Sequence, residues 1–140
     1  MTDSVDLILE QWKLERPDLD TSPIGIIGRI SKLEQHLARA LEEKFATFDL
    51  QQGDFDVLAT LRRSGKPHRL NPTTLYQALM LTSGAMTNRL DRLERLELIE
   101  RLPDPNDRRG TLIALTAKGK RLIERAMTAI LKTNTDCWRH

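Results

Sequence analysis

Apolar residues recur every three or four positions through residues 24–48, as Ile24, Ile27, Ile30, Leu33, Leu37, Leu41, Phe45 and Phe48. That spacing matches the 3.6-residue helical repeat and predicts a long amphipathic helix. A shorter apolar cluster precedes it: Leu7, Ile8, Leu9, Trp12 and Leu14 predict a helix over 6–15. Pro17 forces Arg16 out of the helical region and closes that helix, so 16–23 reads as a turn. Beyond the long helix, Phe55, Leu58, Ala59 and Leu61 form the stripe of a helix over 51–63. Ser64-Gly65-Lys66-Pro67 ends it, as glycine and proline after a basic last turn should.

The second half of the chain changes rhythm. Residues 68–70 are long enough for a very short strand, and Asn71-Pro72 then marks a helix start. Asparagine caps the free amides, while proline occupies the first helical position, where its missing N–H costs nothing. The helix predicted over 73–80 is interrupted by Thr82-Ser83-Gly84, which starts another over 85–96. In that helix Met86, Leu90, Leu93 and Leu96 share one face. Two helices joined by so short a turn are a helix-turn-helix signature. A strand over 99–102, a charged tip over 103–110 and a return strand over 111–115 follow. Thr116 then caps a last helix through residue 131, carrying Leu122, Ile123, Met127, Ile130 and Leu131. The expected fold class is mainly α (α+β): a winged helix-turn-helix with flanking N- and C-terminal dimerisation helices. It divides into an extra helix and turn (1–23), the helix-turn-helix (71–97), the hairpin wing (98–116) and a C-terminal helix (117–140), within a single domain over 1–140.

Composition narrows the function classes. Charged residues are 30% of the chain and aromatics 4%, with a net charge of +2, which permits a nucleic-acid partner without arguing for one. The single cysteine, Cys137, excludes an internal disulfide and fits a reducing, cytoplasmic setting. It reads as an idle thiol, with a redox switch as the alternative. The acidic first residues lack a signal core, and no apolar run reaches membrane-spanning length, so neither secretion nor a membrane partner is expected. His36 lies beside the long helix's stripe without Cys or His neighbours at ligand spacing, and no metal or cofactor is expected. No nucleophile–base set or Gly-rich phosphate loop is present, which argues against an enzyme.

The placement of polar residues carries the nucleic-acid reading. With the apolar face of helix 85–96 turned inward, Ser83, Thr87, Asn88, Asp91, Arg92 and Arg95 face outward or sideways. Short hydroxyls, an amide and then arginines suit a helix entering the major groove of double-stranded DNA by its N-terminus. Asparagine can pair with adenine, arginine with guanine, and serine or threonine with phosphates. Net charge is silent here: the six arginines between Gly84 and Arg109 are matched by six carboxylates. The hairpin decides, because Arg108 and Arg109 at its apex can enter a narrow minor groove. Asp104 and Asp107 lie close enough to hold one guanidinium in a fixed fork while the other stays free.

These residues resemble the MarR family of bacterial regulators over most of the chain. The most specific match is Asp104-Pro105-Asn106-Asp107-Arg108-Arg109-Gly110 with Thr111-Leu112-Ile113-Ala114-Leu115-Thr116-Ala117-Lys118-Gly119, similar to the family's wing and the helix start behind it. Ser83 to Leu93 resembles its recognition helix. The resemblance implies a homodimer on pseudo-palindromic DNA, usually a repressor relieved by a small ligand. The DNA-binding residues are then Ser83, Thr87, Asn88, Arg89, Arg92, Arg108 and Arg109. Trp12, with Arg16-Pro17-Asp18-Leu19-Asp20 and Phe55-Asp56-Val57-Leu58 before Arg62-Arg63-Ser64-Gly65, is similar to the family's urate-responsive branch. That likeness implies a site for urate or xanthine made of Trp12, Asp56, Arg63 and Arg89. Asp56 and Arg63 are nearly two helical turns apart, roughly 10 Å at ~1.5 Å per residue, a gap that accepts a flat bicyclic anion.

Each residue also has a plainer reading. Trp12 can fasten the first helix, Asp56 and Arg63 can pair with neighbours, and Arg89 can contact phosphate. A phenolic acid or oxidation at Cys137 are alternative signals, and a protein-binding adaptor is an alternative use of the winged helix. Family members usually extend the last helix further than the polar stretch 132–140 suggests. The expectation is therefore that the N-terminal helices carry most of the dimer interface, or that dimerisation is weaker than usual.

Overall fold

A computed structural model of the chain describes residues 1–80 and 86–138, the side chains of 133–138 excepted. The elements run α1 (Ser4–Glu15), α2 (Ser22–Ala46), α3 (Gln52–Arg63), β1 (Arg69–Leu70), α4 (Pro72–Ala78), α5 (Met86–Arg95), β2 (Ile99–Asp104), β3 (Asp107–Leu115) and α6 (Ala117–Trp138). This is the expected mainly helical winged-helix order. The chain divides into two units, Met1–Leu41 and a second beginning at Glu42.

In the first unit α1 starts one turn's edge earlier than residue 6, because Asp3 is its cap. The Asp3 carboxylate accepts from the amides of Val5 (2.8 Å) and Asp6 (2.9 Å), and Asp6 accepts in return from the Asp3 amide (2.8 Å). Arg29 of α2 donates to both carboxylates, at 3.1 and 2.7 Å. Those amides and the Arg29 guanidinium hold the Asp3 carboxyl below its ordinary range. Val5 is buried against Gly28, and Leu9 packs on Gly25. Fastening of the first helix thus falls to Val5 and Leu9, while Trp12 stays 42% exposed.

The α2 stripe behaves differently from a core stripe. Ile24, Ile27, Ile30, Leu33 and Leu37 are exposed, whereas Phe45 at the far end is buried and stacks on Phe55 with ring centroids 4.8 Å apart. Periodicity reports which side of a helix is apolar, not whether the same chain covers it.

The core of the second unit gathers one face from each element. Val57, Leu58 and Leu61 of α3, Leu75 of α4, Leu90 and Leu93 of α5, Ile99 and Ile113 of the sheet, and Ile123, Ala126 and Ile130 of α6 are buried. Each fully buried Leu or Ile contributes about 1.5–3 kcal/mol. The sheet is antiparallel in the order β1-β3-β2, with Leu70 opposite Ile113 and Ile99 opposite Leu115. Asn71 caps α4 by accepting from the Thr74 amide (2.8 Å), with Pro72 at the first turn, as expected. Thr116 likewise caps α6: its hydroxyl accepts from the Gly119 amide (2.9 Å) and donates to the Glu97 carbonyl (2.7 Å). A Cβ on Gly119 would stand 2.0 Å from the Leu98 carbonyl oxygen, so only glycine lets α6 start this close to the root of β2.

Two further boundaries differ markedly from expectation. The backbone of α6 stays helical to Trp138 rather than ending at residue 131. The hairpin strands extend into the segment read as a tip, leaving only Pro105 and Asn106 in the turn. Cross-strand pairing overrides the weak strand propensity of charged and proline residues there.

Candidate nucleic-acid interface

The wing gains its shape from a break in register. Pro103 pairs with Thr111, but Asp104 pairs with Asp107, so Arg108, Arg109 and Gly110 have no partners in the ladder. A bulge of this kind re-aims side chains, and both arginines are exposed. The expected fork between carboxylate and guanidinium does not form. Asp104 accepts instead from the Asn106 amide (2.9 Å) and Asp107 from the Arg109 amide (3.1 Å). Aspartate reaches an amide two residues on more readily than a neighbouring flexible side chain. Among the described residues neither Arg108 nor Arg109 has an ion-pair partner. The carboxylates stiffen the turn, and both cations stay available. Arg109 also lines, with Asn71, Thr73 and Thr74, a cleft of about 540 Å³ between the wing and the start of α4.

On α5, Thr87, Asn88, Asp91 and Arg95 are exposed, as the apolar stripe requires. Ser83 lies outside the described residues. Of the six carboxylates that cancelled the arginines in the charge count, the two on α5 are engaged within the fold. Arg101 of β2 pairs with Asp91 (2.8 Å) and Glu94 (3.1 Å), and its amide donates to Glu94 as well (3.1 Å). These bonds tie the wing to α5 and raise the Arg101 pKa despite the opposing effect of partial burial.

Arg92, expected to face outward or sideways, and Arg89, expected in both the DNA and the ligand set, lean toward α3 in the free chain. Arg92 turns back and donates to the Asp54 carboxylate, and to the Asp49 carbonyl at 3.2 Å. Arg89 Nε lies 4.0 Å from Asp54, and its side chain is only 18% exposed. Its guanidinium covers the first turn of α3 so closely that a Cβ on Gly53 would fall 1.2 Å from Nη1. Asp54 itself is 1% exposed and also accepts from the Gln51 amide (2.8 Å). A buried carboxylate attracts the nearest cations, and helical period alone could not announce it. Asp54 is the site residue that sequence reasoning missed. Nothing local marks it, because its partner Arg92 is 38 residues away.

Asp56 and Arg63 do share one face of α3, and both grip the same segment. The Met80 amide donates to Asp56 (3.2 Å), and Arg63 donates to the Ala78 carbonyl and to the Thr60 hydroxyl (3.3 Å). Asp56 is buried and Arg63 exposed. The segment they hold leads from α4 toward α5. Trp12 belongs to the first unit and the other three residues of the expected ligand set to the second. The Cys137 side chain lies outside the described residues. No group of three metal-ligating residues occurs among the described residues, and none of their helices is long and apolar enough to cross a membrane.

The chain matches the MarR family model over residues 50–111, the stretch holding α3, the helix-turn-helix and most of the wing. It is 40% identical over 129 residues to the HTH-type transcriptional regulator PecS of Dickeya dadantii, covering 92% of this chain and 78% of that one. The chain belongs to the MarR family. The multiple antibiotic resistance protein MarR of Escherichia coli is 35% identical over 102 residues, 73% of this chain and 67% of its own. The solved structure of a mutant E. coli MarR complexed with operator DNA superimposes with a TM-score of 0.66 at 32% identity, covering 79% of this chain and 76% of that one. This MarR-family chain is therefore a DNA-binding transcriptional regulator with a winged-helix fold, and not an enzyme.

Proposed function

We propose that the protein is a repressor that binds a pseudo-palindromic operator as a homodimer and leaves it when a small anionic aromatic ligand binds. Thr87, Asn88, Arg89 and Arg92 of α5, with Ser83 just before it, read the major groove, and Arg108 and Arg109 enter the minor groove. The observation that carries this reading is the bulged wing, with two exposed arginines that lack carboxylate partners among the described residues, beside an α5 whose own acids are neutralised by Arg101. The solved complex of an E. coli relative with operator DNA supports an operator as the partner. The exposed apolar stripe of α2 supports dimerisation, since Ile27, Ile30 and Leu33 are each more than half exposed in the single chain.

The ligand is a purine such as urate or xanthine, held by Trp12, Asp56, Arg63 and Arg89. Its supporting observation is the grip of Asp56 and Arg63 on residues 78–80. An anion taking the Arg63 guanidinium would remove the donor to Ala78 and loosen the segment that leads into the recognition helix. A coupling of a few kcal/mol then suffices for release. Selecting bound DNA from a random pool, with and without urate or xanthine, tests both halves. A recovered palindrome lost on adding purine is the expected result; a palindrome indifferent to either purine removes the ligand assignment, and no enrichment removes the DNA-reading one.

A further inference from the structure

Asp54 sits where two cations of the recognition helix converge. Its carboxylate is 1% exposed, binds Arg92 directly and stands 4.0 Å from Arg89 Nε. The charges do not balance: one carboxylate faces two guanidiniums. Among the described residues Asp54 Oδ1 and Arg89 Nε and Nη1 are buried without hydrogen-bond partners. An ion cluster left partly unsatisfied in this way is held weakly, since each missing bond forfeits what water would have supplied. The Gly53 backbone provides the floor on which Arg89 lies, a position that no larger residue leaves open.

We propose that Asp54 is a positioning residue that tethers Arg89 and Arg92 to α3 in the free protein and on unrelated DNA, and yields them to DNA phosphates only when α5 is seated on its operator. This rests on the DNA-reading assignment above. Phosphate oxygens offer Arg89 the acceptors it lacks beside Gly53, so the exchange turns an unsatisfied cation into a charge-assisted pair. The tether restrains two cations that would otherwise bind any duplex, and so favours sequence-specific over indiscriminate binding. Gly53 completes the device by leaving room for the Arg89 guanidinium.

The test is the salt dependence of duplex binding by the full chain, measured on an unrelated DNA, for wild type, Asp54→Asn and Gly53→Ala. Each phosphate contact adds about 0.9 to the slope of log affinity against log salt. Freeing both arginines should steepen the slope by about 1.8 in Asp54→Asn, and freeing Arg89 alone by about 0.9 in Gly53→Ala. Adding Arg89→Ala and Arg92→Ala to Asp54→Asn should abolish the increase. Slopes equal to wild type in both variants overturn the tether, as does an increase that survives loss of the two arginines. Gly53→Ala keeps the test decisive should Asp54→Asn fail to fold, because its methyl displaces only the mobile end of a side chain. A wild-type protein that binds no duplex at all would instead sink the DNA-reading assignment.

Discussion

Two pairs of arginines lie in the winged-helix half of the chain, and their surroundings are opposite. Arg108 and Arg109 sit in a bulge of β3, exposed, with the nearby carboxylates turned to backbone amides. Arg89 and Arg92 are folded against the start of α3, around a carboxylate that is almost wholly buried. The wing therefore presents charge at no structural cost, while the recognition helix holds its charge inside the fold. Stability and nucleic-acid affinity should separate along that division.

The largest expected effect tests the buried side. Asp54→Ala removes the acceptor of Arg92 and of the Gln51 amide together, and should lower unfolding free energy by about 2–3 kcal/mol in urea denaturation. A loss within the ~0.5 kcal/mol typical of surface substitutions would make the α5 pair no different from the wing pair. The exposed side gives the converse. Arg108→Ala with Arg109→Ala should weaken operator binding by roughly tenfold, about 1.4 kcal/mol, and flatten the salt slope by about 1.8. Its urea midpoint should stay at the wild-type value, and a shift in that midpoint would break the division.

A smaller effect probes the link between the two regions. Arg101→Ala severs the pairs from Asp91 and Glu94, whose partly exposed geometry limits the loss to about 1 kcal/mol. Hydrogen exchange at the wing amides should rise more than at the core of α3. The smallest effect concerns the root of the sheet. His68 is buried before β1, and burial, then Arg62, Lys120 and Lys66, push its pKa below the ordinary value, with Glu124 opposing. The unfolded chain then takes up the proton first as pH falls. Stability should decline with acidification from about pH 6.5 downward and level off below the depressed native value. His68→Gln should flatten that decline in a pH series of thermal melts.

Element types were largely legible in the chain, because amphipathic period, Asn71-Pro72 and the Thr116 cap are local signals. The wing was legible as a charged hairpin, although its bulge depends on how β2 and β3 pair. Asp56 and Arg63 could be placed on one face by spacing alone. That both hold residues 78–80 could not, since the partner segment lies at and beyond the end of another helix. The stripe of α2 was read correctly as apolar, and its exposure in the single chain had no local sign.

Sequence by itself determined the winged-helix order, the capped starts of α4 and α6, and the concentration of arginines between α5 and the wing. Tertiary structure alone decided which of those arginines are free. Asp54 and Arg92 are 38 positions apart and meet only because α3 and α5 pack against each other. A charge's availability depends on the dielectric and partners around it, and those are set by packing rather than by position along the chain.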